Sequence, residues 1–90
     1  MNKYLVEFLG TMFVTYVFLA TGNWLAIGAA LGIAIMLGGA ISGGAFNPAT
    51  TISLYAADKL PNADVLPYII AQILGGLASF YAYKNFVNKA

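Results

Sequence analysis

The chain contains no cysteine, no histidine and no arginine, and each absence excludes some chemistry. Without cysteine or histidine there is no disulfide, no thiol or hydroxyl nucleophile paired with an imidazole, and none of the usual soft metal ligands. The carboxylates are those of Glu7, Asp58 and Asp64. The sequence therefore predicts no enzyme, no metal site and no cofactor.

Charge is also scarce. Charged residues make up 8% of the 90 residues and hydrophobic residues 61%, whereas a soluble domain carries roughly a quarter charged residues. So few charges cannot solvate a compact soluble fold, which predicts a multi-pass integral membrane protein in a lipid bilayer, by default the cell (plasma) membrane. The net charge of +1 provides no basic patch, so nucleic acid is not an expected partner.

Three apolar runs are each long enough to cross a hydrocarbon core of roughly 30 Å as a helix. They extend over about residues 4–21, 24–41 and 65–86. Between the second and third runs, residues 42–57 begin with a Gly-rich stretch and continue with about ten mildly apolar residues. Ten helical residues rise about 15 Å, half a bilayer. Residues 58–64 are predicted to form a solvated loop, in which Asn62 or Asp64 could cap the third span. Residues 1–90 are therefore predicted to form one all-α membrane unit, with three transmembrane helices and one re-entrant half-helix.

The half-helix is predicted to begin at Asn47-Pro48-Ala49. Asn is among the best N-cap residues, and Pro is favoured at the first helical position. The Asn47 side-chain oxygen is expected to accept from the backbone N–H near Thr50, which leaves its NH₂ free to donate to a solute. Irregular backbone at membrane depth is tolerated where it lines a water-filled cavity. The N-terminal end of the half-helix dipole would oppose cations, protons included.

The loop before Asn47 is expected to line the same lumen. Its backbone carbonyls would offer acceptors to a passing solute. The expected pore-lining backbone lies at Ser42, Gly43, Gly44 and Ala45.

Three ordered segments resemble the N-terminal half of the aquaporin (major intrinsic protein) family. They are EFLGT at residues 7–11, ISGGAFNPATT at residues 41–51 and YIIAQILGG at residues 68–76. The resemblance implies one half of an aquaporin-like inverted repeat, with Asn47 as the pore asparagine. It also implies that buried Glu7 holds the re-entrant loop through hydrogen bonds and that Gln72 supports the same loop.

The chain departs from the family pattern in ways that bear on selectivity. A family member has two Asn-Pro-Ala motifs, the second normally followed by Arg, whereas this chain has one motif followed by Thr50 and no Arg. The resemblance implies a pore mouth at Ile27, faced by Thr50 and the Gly44 carbonyl of an opposite chain. Ile35 or Met36 would complete this ring. Such a constriction is expected to admit small neutral solutes such as glycerol as well as water.

Two copies inserted in opposite directions would rebuild the inverted repeat of a passive channel. The lysines are balanced, with Lys3 and Lys59 on one side against Lys84 and Lys89 on the other, so the positive-inside rule sets no orientation. The expected partner is therefore a second, antiparallel copy, and by family analogy four such dimers would form an octamer.

Three alternatives stay open at this point. The chain could pair with a different second-half subunit, or it could be a dual-topology ion-coupled transporter that uses Glu7 as its coupling carboxylate. It could also be a non-conducting, holin-like membrane protein. A simpler role for Glu7 is snorkelling to the interface, one turn from the end of its helix.

Overall fold

The computed structural model describes residues 1–86, which form four α-helices and no strand. The helices are α1 (Lys3–Thr21), α2 (Trp24–Ser42), α3 (Pro48–Ala56) and α4 (Asn62–Phe86). Three of them, α1, α2 and α4, are long and apolar enough to cross a membrane. The prediction of an all-α membrane protein with three spanning helices and one short helix is confirmed.

Asparagine caps set the starts of the first two helices. Asn2 accepts from the backbone N–H groups of Tyr4 and Leu5 at 2.7 and 3.0 Å, and Asn23 accepts from that of Ala26 at 2.9 Å. Gly22 ends α1 in the left-handed conformation, with φ of 56°, which glycine adopts without steric cost. A turn of two residues therefore makes α1 and α2 antiparallel neighbours.

The start of α4 differs from the prediction. It begins at Asn62 rather than Val65, because the Pro61 carbonyl already accepts from the Asp64 N–H at 3.0 Å. Asp64, expected either in a solvated loop or as a helix cap, is instead buried. Its carboxylate binds the Lys3 ammonium and the Tyr4 hydroxyl, each at 2.7 Å, and so joins the first turns of α1 and α4.

α1 is the central helix. It packs against both α2 and α4, and α3 packs against α4. The backbone of α2 does not come close to that of α3 or α4 within residues 1–86, although the Tyr68 side chain of α4 reaches the carbonyl of Ser42 at the end of α2. α1 and α4 come close together at Gly75, where an added Cβ would lie 2.5 Å from the Phe8 carbonyl oxygen. By contrast, an added Cβ on Gly28 or Gly32, two glycines with the spacing of a helix-contact motif, would meet nothing within 4 Å.

Polar side chains are buried and large apolar side chains are exposed, the reverse of the distribution in soluble proteins. The most completely buried side chains are Tyr68, Gln72, Glu7, Thr51 and Ser79. Large apolar side chains such as Leu25, Leu37 and Leu66 are more than half exposed. A hydrocarbon solvent favours this arrangement, because apolar side chains lose nothing there and polar groups must find internal partners. The chain is an integral membrane protein.

Candidate functional site

Asn47 begins α3 in an extended conformation, and Pro48 follows at the first helical position. The Asn47 Oδ1 atom accepts from the Ala49 N–H at 2.7 Å, one residue earlier than the expected acceptance near Thr50. The Asn47 carbonyl accepts the first helical bond, from the Thr51 N–H at 2.9 Å. Because Oδ1 serves as the cap, the side-chain NH₂ is left to donate. Asn47, Ala49 and Thr50 are all exposed on the surface of the chain.

Glu7 lies behind the loop and is 0% exposed. Its Oε2 atom accepts from the Ser42 hydroxyl at 2.8 Å and from the Ala45 N–H at 3.2 Å. Its Oε1 atom accepts from the Phe46 N–H at 2.8 Å and from Gln72 Nε2 at 2.7 Å. All four contacts are donors, which suits an ionised carboxylate, a group that offers acceptors only. Glu7 is thus turned inward, away from the membrane interface.

Gln72 connects Glu7 to the half-helix. Its Nε2 atom donates to the Glu7 carboxylate and also, at 2.7 Å, to the Thr51 hydroxyl. The Thr51 hydroxyl donates in turn to the Asn47 carbonyl at 2.9 Å. A continuous series of hydrogen bonds therefore runs from α1 through α4 to the first turn of α3. The two residues expected to support the loop both contact it or its helix.

The structure corrects the expected role of two loop residues. Ser42 was expected to present its backbone to a lumen, but it is 6% exposed and its carbonyl accepts from the Tyr68 hydroxyl at 2.6 Å. Ala45 is 5% exposed and turns its N–H to Glu7. Both residues are drawn inward because a buried carbonyl and a buried N–H each need an internal partner. Gly43 is exposed and Gly44 half-buried, so these two remain the candidates for lumen-facing backbone.

The residues expected at the pore mouth are not brought together within one chain. Ile27 lies in the first turn of α2, fifteen residues before Ser42, which corresponds to about 22 Å along the helix. Ile35 contacts Gly44, whose added Cβ would lie 3.2 Å from it. Met36 is 73% exposed and Thr50 is also exposed. Any ring of these side chains therefore needs surfaces from outside this unit.

Sequence reasoning missed three residues that hold the site. Tyr68 contacts the loop carbonyl, Thr51 links Gln72 to Asn47, and the Phe46 ring is buried beneath the loop. Tyr68 lies one helical turn before Gln72, so helical spacing alone could have placed both on one face. Thr51 was read only as a continuation of the motif, although it lies four residues after Asn47.

The lysine balance is changed by one contact. Lys3 is paired with Asp64 at 2.7 Å, so one of the four counted lysines is neutralised locally. Lys84 is exposed at the opposite end of the unit, in the last turn of α4, and Lys89 lies outside the described residues. Over residues 1–86, no group of three or more His, Cys, Asp or Glu side chains could hold a metal ion.

The chain is similar to known proteins over most of its length. The model of the major intrinsic protein family matches residues 20–90. The chain is 44% identical over 97 residues to glycerol uptake facilitator protein-like 6 of Lactiplantibacillus plantarum, a match that covers 98% of this chain and 45% of that protein. No solved structure matches significantly.

Two further relatives are named aquaporins. Aquaporin AqpM of Methanothermobacter thermautotrophicus is 53% identical over 64 residues, covering 66% of this chain and 26% of that protein. Aquaporin Z of Brucella melitensis is 37% identical over 95 residues, covering 88% of this chain and 41% of that protein. The chain spans less than half the length of these relatives.

Proposed function

The chain belongs to the major intrinsic protein family, and from this premise we propose that it forms half of a passive membrane channel for water and small neutral solutes. The observation that carries the proposal is the exposed Asn47, which caps a half-helix and is held from behind by the buried network around Glu7. The relatives named as aquaporins and as a glycerol uptake facilitator-like protein support the same class of solute.

The depth of Asn47 supports this proposal. Gln72 lies ten residues after the start of α4, or about 15 Å along that helix, and it contacts Thr51 in the first turn of α3. The nine residues of α3 rise about 13 Å back toward the same side. A bilayer core is roughly 30 Å thick, so Asn47 lies near its midplane. At that depth, an exposed polar site needs protein or water against it.

The chemistry of the site favours neutral, hydrogen-bonding solutes. The Asn47 NH₂ donates to a solute oxygen, and the exposed backbone near Gly43 accepts from a solute hydroxyl. The N-terminal end of α3 carries a partial positive charge of about half an elementary unit, which repels cations and protons. Water and small polyols satisfy both contacts without bringing charge to the site.

The second half of the pore is provided by a second, antiparallel copy of this chain. Two Asn47 side chains then meet near the midplane, and four such dimers cluster as an octamer by family analogy. Each mouth is formed by Ile27 of one copy with Thr50 and the Gly44 carbonyl of the other. Because neither Arg nor His narrows this mouth, it passes glycerol as well as water.

Orientation distinguishes this arrangement from pairing with a different second-half subunit. A single cysteine introduced at Asn2 of the cysteine-free chain reports its side through an impermeant thiol reagent added outside vesicles. We expect about half of the chains to react before the membrane is permeabilised and the rest afterwards. Reaction from one side alone would favour a separate second-half partner.

The surroundings of Glu7 disfavour the ion-coupled alternative. A coupling carboxylate must be free to change partners as it takes up and releases a proton, but three of the four groups that contact Glu7 are N–H groups, of Ala45, Phe46 and Gln72, which can only donate. Glu7 instead serves the loop as a fixed acceptor. The buried polar network also disfavours a non-conducting holin-like role, for which the exposed cap at Asn47 has no purpose.

Osmotic flux in vesicles tests the proposed function. Purified chain in proteoliposomes should raise water and glycerol permeability above protein-free vesicles without any ion gradient. The variant Ala49→Trp should block this flux, because it places a large ring beside Asn47. The matched control Ala20→Trp puts the same ring at the exposed end of α1 and should leave flux unchanged. Uptake that requires an ion gradient would contradict a passive channel.

A further inference from the structure

Phe46 occupies a socket between the two helices that precede the loop. Its ring packs with Val6 of α1 and Ala34 of α2, and 7% of the residue is exposed. A methyl group added to Gly10 would collide with the ring, and one added to Gly38 would come within 3.6 Å of it. Gly10 therefore leaves the space that the ring fills, and Gly38 leaves space for Val6, which packs on the ring.

The backbone of Phe46 is in a conformation that its side chain disfavours. Its φ is +52°, in the left-handed region that is rare for non-glycine residues and least favourable for bulky ones. Nearby loop positions with positive φ are glycines, Gly43 at 88° and Gly44 at 71°. A large ring at such a position needs a compensating gain, and here the ring gains burial in the socket.

Phe46 is also joined to the polar side of the site. Its N–H donates to Glu7 Oε1 at 2.8 Å, and the next residue along the chain is Asn47. The backbones of α2 and α3 do not come close in the described part of the chain, and Phe46, just before α3, packs on Ala34 of α2. The ring therefore links the helix that carries Ile27 to the residue that begins the half-helix.

We propose that Phe46 is a positioning residue: its ring, packed against Gly10, Val6 and Ala34, sets the position of Asn47 relative to α1 and α2, and solute discrimination depends on it. The inference rests on the proposed channel function. The position of Asn47 then depends both on the apolar packing of Phe46 on one side of the loop and on the hydrogen bonds of Glu7 on the other.

Three substitutions separate the ring from the backbone strain. Phe46→Ala removes the ring and keeps a strained non-glycine backbone, Phe46→Gly removes both, and Phe46→Leu keeps an apolar group in the socket. The matched control is Phe13→Ala, which truncates a partly exposed ring of α1 outside the loop.

The main readout is the ratio of glycerol to water permeability in proteoliposomes, measured per inserted chain. Misplacing one neutral hydrogen bond to a solute corresponds to a change of about 2- to 10-fold in such a ratio. We expect a change of this size in Phe46→Ala and Phe46→Gly, a smaller change in Phe46→Leu, and none in Phe13→Ala. A wild-type ratio in both Phe46→Ala and Phe46→Gly would overturn the inference.

A second readout does not depend on conduction. Hydrogen exchange at the Ala49 amide, which is bonded to the Asn47 side chain, reports whether the cap is held. We expect faster exchange in Phe46→Ala and Phe46→Gly but not in Phe13→Ala. If the wild-type chain conducts nothing, the proposed function fails, and unchanged exchange in the Phe46 variants would then refute the positioning role as well. If the alanine variant does not fold, the permeability ratio and the Ala49 amide exchange of Phe46→Leu test the positioning role instead.

Discussion

Replacing Glu7 by Gln is the sharpest perturbation of the buried network, because it keeps the shape of the side chain and removes one acceptor oxygen. The carboxylate accepts four hydrogen bonds between 2.7 and 3.2 Å and is 0% exposed. An amide at the same place offers one oxygen and one NH₂ group. At one of the two oxygen positions, the amide NH₂ would therefore face groups that are themselves hydrogen-bond donors.

The best accommodation puts the amide oxygen at the Oε1 position, where it still accepts from the Phe46 N–H and from Gln72. The NH₂ then replaces Oε2 and faces Ser42 and Ala45. The Ser42 hydroxyl can turn to accept from it and donate toward the Gly38 carbonyl, 3.5 Å away. The Ala45 N–H has no such freedom and is left buried without an acceptor.

An unpaired buried N–H costs about 1–3 kcal/mol, and each of the two retained bonds weakens by about 1 kcal/mol when its acceptor loses its charge. An amide is easier to bury than a carboxylate, which offsets part of this loss. We expect Glu7→Gln to lower the free energy of unfolding by about 2–4 kcal/mol and to loosen the loop before Asn47.

The assay is unfolding in mixed micelles, followed by circular dichroism, with passive water flux measured in parallel. The control is Asp58→Asn, the same chemical change at an exposed residue with φ of 61°, a conformation that Asn tolerates. That control should change stability by less than about 0.5 kcal/mol. Equal stability of the two variants, with loss of gradient-driven uptake in Glu7→Gln alone, would refute the structural role of Glu7.

Two further substitutions test separate parts of the account. Gly75→Ala should destabilise the chain by about 1–3 kcal/mol in the same unfolding assay, because the new methyl group presses on the Phe8 carbonyl. Gly76→Ala, which meets nothing within 4 Å, should not, and equal effects would contradict the close packing of α1 and α4. Asn47→Asp should keep the helix cap but carry a negative charge into the lumen, so vesicles should become leaky to sodium. Asn23→Asp makes the same change at the cap of α2 and should add no leak; equal leak in both would argue against Asn47 facing the pore.

Helix lengths and helix starts depend mainly on residues close together in the chain, so they can be predicted from the sequence. The spanning helices follow from apolar runs of sufficient length, and Asn47 with Pro48 marks the start of α3. The roles of Glu7 and Gln72 were implied by the family resemblance rather than by spacing. They are 65 residues apart in the chain, and only helix packing makes them neighbours.

The remaining features depend on how the helices pack. Asp64 was expected near solvent because it lies beside other loop residues, yet α1 brings Lys3 and Tyr4 to it. Ser42 was expected to face a lumen, but its carbonyl points into the protein and accepts a hydrogen bond from the Tyr68 hydroxyl. Phe46 carries no sequence signal for a left-handed backbone, since glycine and asparagine are the usual residues there. Each of these depends on a side chain from a distant helix.

A single cysteine at Thr50 tests most directly whether the Asn47 site of this chain lines a conducting pore. The wild-type chain has no cysteine, so Thr50→Cys carries the sole thiol in the protein. We expect proteoliposomes containing this variant to conduct water and a small thiol reagent to block the flux reversibly. Wild-type chain and an Ala20→Cys variant should be unaffected by the reagent. Vesicles whose folded, inserted chains conduct no water, or whose flux persists after Thr50→Cys is fully labelled, would contradict this expectation.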